Sequence, residues 1–182
     1  SKGQSIKSLI NMDMDEQPAV MYSIYRDTNA AYVLFVTKNG LVKKTSLEEY
    51  VKTKKKTGIA AITIKDGDEL AAVSLVKDEQ LIIVTKNGMA IRFDSKEVSA
   101  TSRATSGVKG INLGADDEVV AAIPVRNVKD KLAIFVSGGM AKKFDLSEIP
   151  VQKRAGKGLM CYKPTDSTGK VAAATLVEDG DC

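Results

Sequence analysis

The sequence contains no histidine and no tryptophan, and only 5% of its 182 residues are aromatic. Without an imidazole, the chain has no Ser-His-Asp or Cys-His relay, no histidine general base near neutral pH and no zinc site with histidine ligands. It also has no glycine-rich phosphate loop of the G-x-x-x-x-G-K-[ST] type. These absences disfavour an enzyme and make a binding function the better hypothesis.

Cysteines and long apolar runs are also scarce. Cys161 and Cys182 form neither a C-x-x-C clamp nor a disulfide framework, which is typical of a protein in a reducing cytoplasm, and we expect Cys161 to be a small core residue. The longest apolar runs, such as residues 119–123, have about five residues, whereas a membrane-spanning helix needs roughly 20. No charged segment followed by an apolar one opens the chain. The sequence therefore indicates neither secretion nor a membrane partner.

What the chain does contain is an internal repeat. A strand-like run that ends in a glycine turn occurs three times, at Gly40, Gly88 and Gly139. Each turn is followed by a short apolar and basic run, a serine or threonine with an acidic residue close behind, and a basic loop that leads to a second glycine. Two further apolar segments then flank an acidic or polar turn. We interpret residues 1–182 as one repeat domain, with units at about 31–76, 79–125 and 131–177, the back half of an earlier unit in 1–25 and the start of another in 178–182.

The repeat predicts an all-β fold. Each unit holds about four strand-like runs of 4 to 7 residues, and four strands in roughly 50 residues is the period of a propeller blade. We therefore expect a β-propeller-like pinwheel of four-stranded blades, about three and a half of them in this chain. Tandem β-barrels or sandwiches are the alternative. The Asn-Gly pairs predict type I′ hairpin turns, and a single helical turn is expected at residues 46–50.

Charge is distributed unevenly along each unit. The segments from the hairpin turn to the loop glycine, residues 41–57, 89–110 and 140–158, carry net charges of +4, +2 and +3, whereas the whole chain carries +4. The remainder is therefore acidic, largely in the turns that contain Asp66, Asp68, Glu69 and residues 116–118. If equivalent positions of successive blades face the same way, one edge of the protein is basic. We interpret the acidic turns as solvated turns and not as a cation site.

A recurrent basic stripe is typical of a surface that follows a curved polyanion, since each neutralised phosphate releases condensed counterions. The alternative is that exposed strand positions are lysine simply for solubility. No zinc finger, basic zipper or RNA-recognition signature is present. Binding would therefore occur through phosphates and shape, with sequence preference arising only from the cost of bending DNA.

The repeat resembles the C-terminal β-pinwheel domain of bacterial type IIA topoisomerase A subunits, that of DNA gyrase in particular and that of topoisomerase IV less so. Three stretches carry the resemblance: Val36-Thr-Lys-Asn-Gly-Leu-Val-Lys-Lys-Thr45, Asp66-Gly-Asp-Glu-Leu70 and Gly107-Val-Lys-Gly-Ile-Asn-Leu113. It implies a disc of blades whose basic outer rim binds, bends and wraps duplex DNA without sequence specificity, supporting strand passage and supercoiling. The sequence does not separate gyrase from topoisomerase IV.

The resemblance also implies where chemistry does not occur. The family's active tyrosine, its metal-binding carboxylates and its ATPase belong to other domains or subunits, so we assign no catalytic residue, no metal and no cofactor to this chain, with ATP and Mg²⁺ bound elsewhere in the holoenzyme. The implied partners are duplex DNA, the ATPase B subunit, and the rest of the A subunit, in the bacterial cytoplasm at the nucleoid. The predicted phosphate contacts are Lys43, Lys44, Lys54, Lys55, Lys56, Arg92, Arg103, Lys109, Lys142, Lys143, Lys153, Arg154 and Lys157.

One loop departs from the family's pattern. The gyrase heptad Gln-Arg-Arg-Gly-Gly-Lys/Arg-Gly lies in the first blade of the family, but its nearest match here, Gln152-Lys-Arg-Ala-Gly-Lys-Gly158, lies in the third full repeat. We favour a degenerate loop of a middle blade over a rearranged blade order. The competing function is a β-propeller protein-interaction module with no DNA role.

Overall fold

Three antiparallel sheets, one for each repeat, make up the part of the chain that the computed structural model describes, residues 30–51, 64–102 and 105–178. Sheet 1 contains β1 (Tyr32–Thr37), β2 (Leu41–Ser46) and β3 (Leu70–Val76). Sheet 2 contains β4 (Gln80–Thr85), β5 (Met89–Asp94) and β7 (Val119–Val125), and sheet 3 contains β8 (Lys131–Val136), β9 (Ala141–Asp145) and β11 (Val171–Val177). The predicted all-β, propeller-like fold class is confirmed.

The predicted helical turn also forms, in a slightly different form in each repeat. Helix α1 (Glu48–Val51) follows β2, and short 3₁₀ helices at Ser95–Glu97 and Leu146–Glu148 follow β5 and β9. An aspartate begins each of the two 3₁₀ helices. The Asp94 carboxylate accepts a hydrogen bond from the backbone N–H of Lys96, and Asp145 forms a reciprocal capping box with Glu148.

Two of the sheets receive their fourth strand from the next repeat. The two-residue strand β6 (Val108–Lys109) belongs to the second repeat but pairs with β2 of sheet 1, and β10 (Leu159–Met160) of the third repeat pairs with β5 of sheet 2. Sheet 3 has three strands among the described residues. The four-stranded blade is therefore an assembly of two repeats, and each repeat is joined to the next by main-chain hydrogen bonds.

The hairpin turns differ from the type I′ geometry that the Asn-Gly pairs predict. Gly40, Gly88 and Gly139 have φ of +90°, +88° and +98°, but neither Asn39 nor Asn87 has a positive φ. The N–H of each glycine donates to the carbonyl three residues earlier. This pattern is a type I turn followed by a left-handed glycine, the three-residue hairpin with a bulge. The prediction of the hairpins is confirmed and the prediction of their turn type is wrong.

The sheets stack face to face, with the strands β3, β7 and β11 side by side at the inner edge and β6 and β10 at the outer edge. Alternate residues of β4 point to opposite faces, so that Leu81 and Ile83 pack against sheet 1 while Ile82 and Val84 pack against sheet 3. Both faces of the middle sheet are buried, which explains the continuous apolar run in its sequence. No helix among the described residues is long and apolar enough to cross a bilayer.

Candidate nucleic-acid interface

Five of the predicted cations are exposed, and three of them lie at the outer edge of the sheets. Lys109 lies on the outermost strand of sheet 1, Lys142 and Lys143 lie on β9, and Lys153 and Lys157 lie on the loop that leads to β10. Lys142 and Lys143 correspond in the repeat to Ile91 and Arg92 of sheet 2, which a neighbouring sheet covers. The structure therefore places Lys109, Lys153 and Lys157 together at the outer rim, and their contact with DNA stays a prediction.

The loop of residues 152–158, which we call the basic loop, is held by the main chain of the second repeat. Its Gln152 N–H donates to the Arg92 carbonyl at 2.8 Å, and its Ala155 N–H donates to the Gly110 carbonyl at 2.9 Å. In return, the Asn112 N–H donates to the Gly156 carbonyl at 2.9 Å. Three hydrogen bonds thus fix the loop backbone, and the two exposed lysines of the loop project from a defined position.

Arg154 lies in the same loop but is only partly exposed. Its guanidinium Nη1 donates to the Lys109 carbonyl at 2.5 Å, and its backbone N–H donates to the Glu97 carboxylate at 3.2 Å. The side chain therefore joins the basic loop to β6, which brings Lys109 of the second repeat close to the loop of the third. Its contact with DNA stays a prediction.

Three predicted cations lie inside the protein, and this corrects the expectation that they project from the surface. Lys43, Lys44 and Arg92 are only 1%, 6% and 8% exposed. Lys43 lies on the face of β2 that also carries Phe35, with its Nζ 5.8 Å from the centre of that ring. Lys44 and Arg92 lie on the faces of β2 and β5 that the next repeat covers.

Lys44 and Arg92 occupy equivalent positions in successive repeats and make equivalent contacts. The Lys44 ammonium donates to the Ser95 carbonyl at 3.2 Å, and the Arg92 guanidinium donates from Nη1 to the carbonyls of Leu146 at 2.9 Å and Ile149 at 3.2 Å. Burial lowers the pKa of both groups, an effect that nearby Asp94 partly opposes for Lys44. Both side chains therefore act as contacts between repeats.

The remaining predicted cations, Lys54, Lys55, Lys56 and Arg103, lie outside the described residues, as do the half-unit in residues 1–25 and most of the predicted start of a further unit. Lys96 is an exposed cation of the basic segments that the predicted set of phosphate contacts did not include. Lys96 lies in the 3₁₀ helix after β5. The sequence could have identified Lys96, because it belongs to the basic segment of residues 89–110 and follows the strand that carries Arg92.

The acidic turns lie beside the hairpins and make specific contacts there. The Asp68 carboxylate accepts a hydrogen bond from the Asn39 N–H at 3.0 Å, and Asp117 accepts one from the Asn87 N–H at 2.9 Å. Carboxylates of this kind hold a hairpin turn against the inner strand. The described residues contain no group of three or more carboxylates and cysteines that could hold a metal ion. The turns are thus structural, which is more specific than the solvated role we expected.

Two lysines next to these turns form ion pairs with the acidic residues of the turns. The Lys38 ammonium lies 2.9 Å from the Glu69 carboxylate and 3.9 Å from Glu118 of the second repeat, and Lys86 lies 3.5 Å from Glu118. The hydrogen bond to Glu69 raises the pKa of Lys38. The positive charge of these lysines is therefore matched locally, whereas the rim carries an excess of cations.

Comparison with known proteins gives a consistent picture. The family model described as DNA gyrase C-terminal domain, beta-propeller, matches residues 31–77, 79–126 and 130–178. The DNA gyrase A subunit of Mycobacterium bovis (strain BCG / Pasteur 1173P2) is 35% identical over 98% of this chain, and the match covers 22% of that relative. The chain thus spans about a fifth of the length of the curated relatives it matches.

Two solved structures are also similar. The C-terminal domain of DNA topoisomerase IV superposes with a TM-score of 0.77 and 30% identity, over 84% of this chain and 48% of that one. The DNA gyrase A C-terminal domain superposes with a TM-score of 0.74 and 29% identity, over 84% of this chain and 50% of that one. The two likenesses are of similar strength, so they leave the choice between gyrase and topoisomerase IV open.

Proposed function

Because this chain belongs to the DNA gyrase C-terminal domain family of β-propellers, we propose that it binds, bends and wraps duplex DNA for a type II topoisomerase. The outer rim holds the DNA through phosphate contacts, without reading bases. In this proposal the chain contributes no catalytic group and no cofactor site. Strand passage, ATP and Mg²⁺ belong to the ATPase B subunit together with the remainder of the A subunit, in the bacterial cytoplasm at the nucleoid.

The single observation that supports the proposal best is the exposed row of lysines on the outer rim. Lys109, Lys153 and Lys157 are exposed at the junction between two repeats, where the Arg154 guanidinium joins the Lys109 carbonyl to the basic loop that carries the other two. Lysines on successive, similarly oriented sheets face the same side, so a duplex that curves around the outer edge would meet one group after another. A bend of this kind costs about 1 to 6 kcal/mol over 20 to 30 base pairs, which the added phosphate contacts would offset.

The test is the salt dependence of duplex binding. If six phosphates are neutralised, the slope of log K against log salt should be about −5. Replacing Lys109, Lys153 and Lys157 together with glutamate removes three of these contacts, so the slope should become shallower by about 3. The charge-matched control is Lys65→Glu, Lys77→Glu and Lys129→Glu, since these three lysines are exposed in turns away from the rim.

The control distinguishes a local interface from a general effect of net charge. Both triple variants lose the same number of positive charges, but only the rim variant should lose phosphate contacts. The thermal midpoint of the rim variant should be unchanged. A slope near zero for the unmodified chain would refute DNA binding. A rim variant that binds DNA as well as the unmodified chain does would refute the rim as the DNA interface, and an unmodified chain that does not bind DNA would support the protein-interaction module.

A further inference from the structure

Arg92 is bonded to the third repeat through both its side chain and its main chain. The guanidinium donates to the carbonyls of Leu146, the first residue of the 3₁₀ helix after β9, and of Ile149, which follows its last residue. The Arg92 carbonyl accepts a hydrogen bond from Gln152, the first residue of the basic loop, and Arg92 also forms a parallel bridge with Val151. One residue of the second repeat therefore holds the whole segment that leads into the basic loop.

The same arrangement occurs one repeat earlier with a lysine. The Lys44 ammonium donates to the Ser95 carbonyl in the 3₁₀ helix after β5, and the Lys44 carbonyl accepts a hydrogen bond from the Thr101 N–H at 2.8 Å. Lys44 also forms a parallel bridge with Ala100. The recurrence of this double contact at equivalent positions shows that it is a feature of the repeat and not of one site.

A buried cation is costly, so its position is strongly constrained by the groups that satisfy it. Arg92 offsets the loss of hydration with two carbonyls and with the Gln80 side chain, which accepts from Nε at 2.8 Å. Any movement of the 3₁₀ helix away from sheet 2 would leave the guanidinium without these acceptors. The second repeat is therefore linked rigidly to the segment of residues 146–152, and through it to the basic loop.

We propose that Arg92 is a positioning residue that sets where the basic loop of the next repeat, with Lys153 and Lys157, meets the DNA on the rim. The inference rests on the proposed function, because it assigns this buried cation an indirect role in holding phosphates. It makes Arg92 act on DNA through the loop and not by touching it.

The experiment is a double-mutant cycle read out as the salt slope of duplex binding by the full chain. Lys153→Gln with Lys157→Gln should make the slope shallower by about 2. In the unmodified chain, Arg92→Met should also make the slope shallower, by at most about 2. In the chain that already lacks the two lysines, Arg92→Met should leave the slope almost unchanged. Arg92→Lys, which keeps the charge but loses the fork, should lie between the unmodified chain and Arg92→Met.

Lys142→Gln is the matched control for the cycle. Lys142 is exposed on β9 and lies outside the basic loop. Its effect on the slope, about 1, should add to that of Arg92→Met. A merely destabilising substitution lowers the fraction of folded protein and thus the apparent affinity, but it leaves the slope unchanged. An unchanged slope in Arg92→Met, or additive effects with the two loop lysines, would overturn the inference.

Amide exchange of the loop gives a readout that needs no DNA. Loss of the Arg92 contacts should speed hydrogen exchange at the N–H groups of Gln152 and Ala155 more than at strand residues of sheet 1. If the unmodified chain failed to bind duplex DNA, the proposed function would be refuted, and faster exchange at these two positions would still support the positioning role. Unchanged exchange in Arg92→Met, or in Arg92→Lys if the methionine variant does not fold, would refute that role.

Discussion

The glycine of the hairpin turn provides a graded test of how closely the repeats are packed. Gly40, Gly88 and Gly139 occupy the same position with φ near +90° in all three. A Cβ at Gly88 would lie 1.8 Å from the Tyr162 carbonyl oxygen, and one at Gly40 would lie 3.0 Å from Ile111. At Gly139 the Cβ would meet no described atom within 4 Å. Alanine at these positions therefore separates the cost of backbone conformation from the cost of the contact between repeats.

The expected losses of unfolding free energy follow from these contacts. A left-handed alanine costs about 1 to 2 kcal/mol at all three positions. Alanine at Gly88 must also displace the Tyr162 backbone, which weakens the hydrogen bonds from the Cys161 and Tyr162 N–H groups to the Gly88 carbonyl, at 2.9 and 3.3 Å. Each is worth about 1 kcal/mol, so we expect a total of about 3 to 4 kcal/mol for Gly88→Ala. Gly139→Ala should cost only the backbone term, with Gly40→Ala in between.

Urea unfolding followed by circular dichroism and by tyrosine fluorescence measures this series. Coincident transitions with an unchanged m-value would show that a single free energy describes each variant, which matters because repeat proteins can unfold unit by unit. The reasoning is refuted if Gly139→Ala destabilises the protein as much as Gly88→Ala. In that case the backbone conformation alone would set the cost, and the close approach of the third repeat would contribute nothing.

Two further predictions concern buried titratable groups. Burial lowers the pKa of Lys44 below 10.5, so the unfolded chain binds more protons between the lowered value and 10.5, and this group's contribution to stability rises with pH across that window. The unfolding free energy of the unmodified chain minus that of Lys44→Met should therefore increase algebraically as the pH is raised towards about 10, and a difference that does not change with pH would contradict this. Burial raises the pKa of the Cys161 thiol, whose Sγ donates to the Gly88 carbonyl. In a Cys182→Ser chain, iodoacetamide should alkylate Cys161 more slowly in the folded state than in urea, and equal rates would contradict its partly buried, hydrogen-bonded position.

The local features were predictable because they depend on neighbours in sequence. Alternating and continuous apolar runs specify strands, a glycine after Thr-Lys-Asn specifies a hairpin, and recurrence of the pattern specifies a stack of similar sheets. The turn type was mispredicted because Asn-Gly is compatible with more than one hairpin. The observed form places the positive φ on glycine alone.

The exchange of the outer strands was not predictable from the repeat pattern. A run such as residues 107–113 has the same composition whether it completes its own sheet or the previous one. The choice depends on the path of the preceding loop, which no local pattern encodes. The consequence is visible at Gly88, where the carbonyl of Tyr162 from the next repeat approaches too closely for any side chain.

The sequence by itself determined the repeat, the all-β class and the concentration of basic residues in one segment of every unit, because strand periodicity and charge are properties of short stretches. Only the tertiary structure decided which of these cations reach the solvent. Lys44 and Lys109 both come from the basic segments, yet Lys44 is buried and Lys109 is exposed, because the second repeat covers the face of β2 that carries Lys44. The neighbouring repeat thus divides the basic residues into those that join the sheets and those that stay exposed.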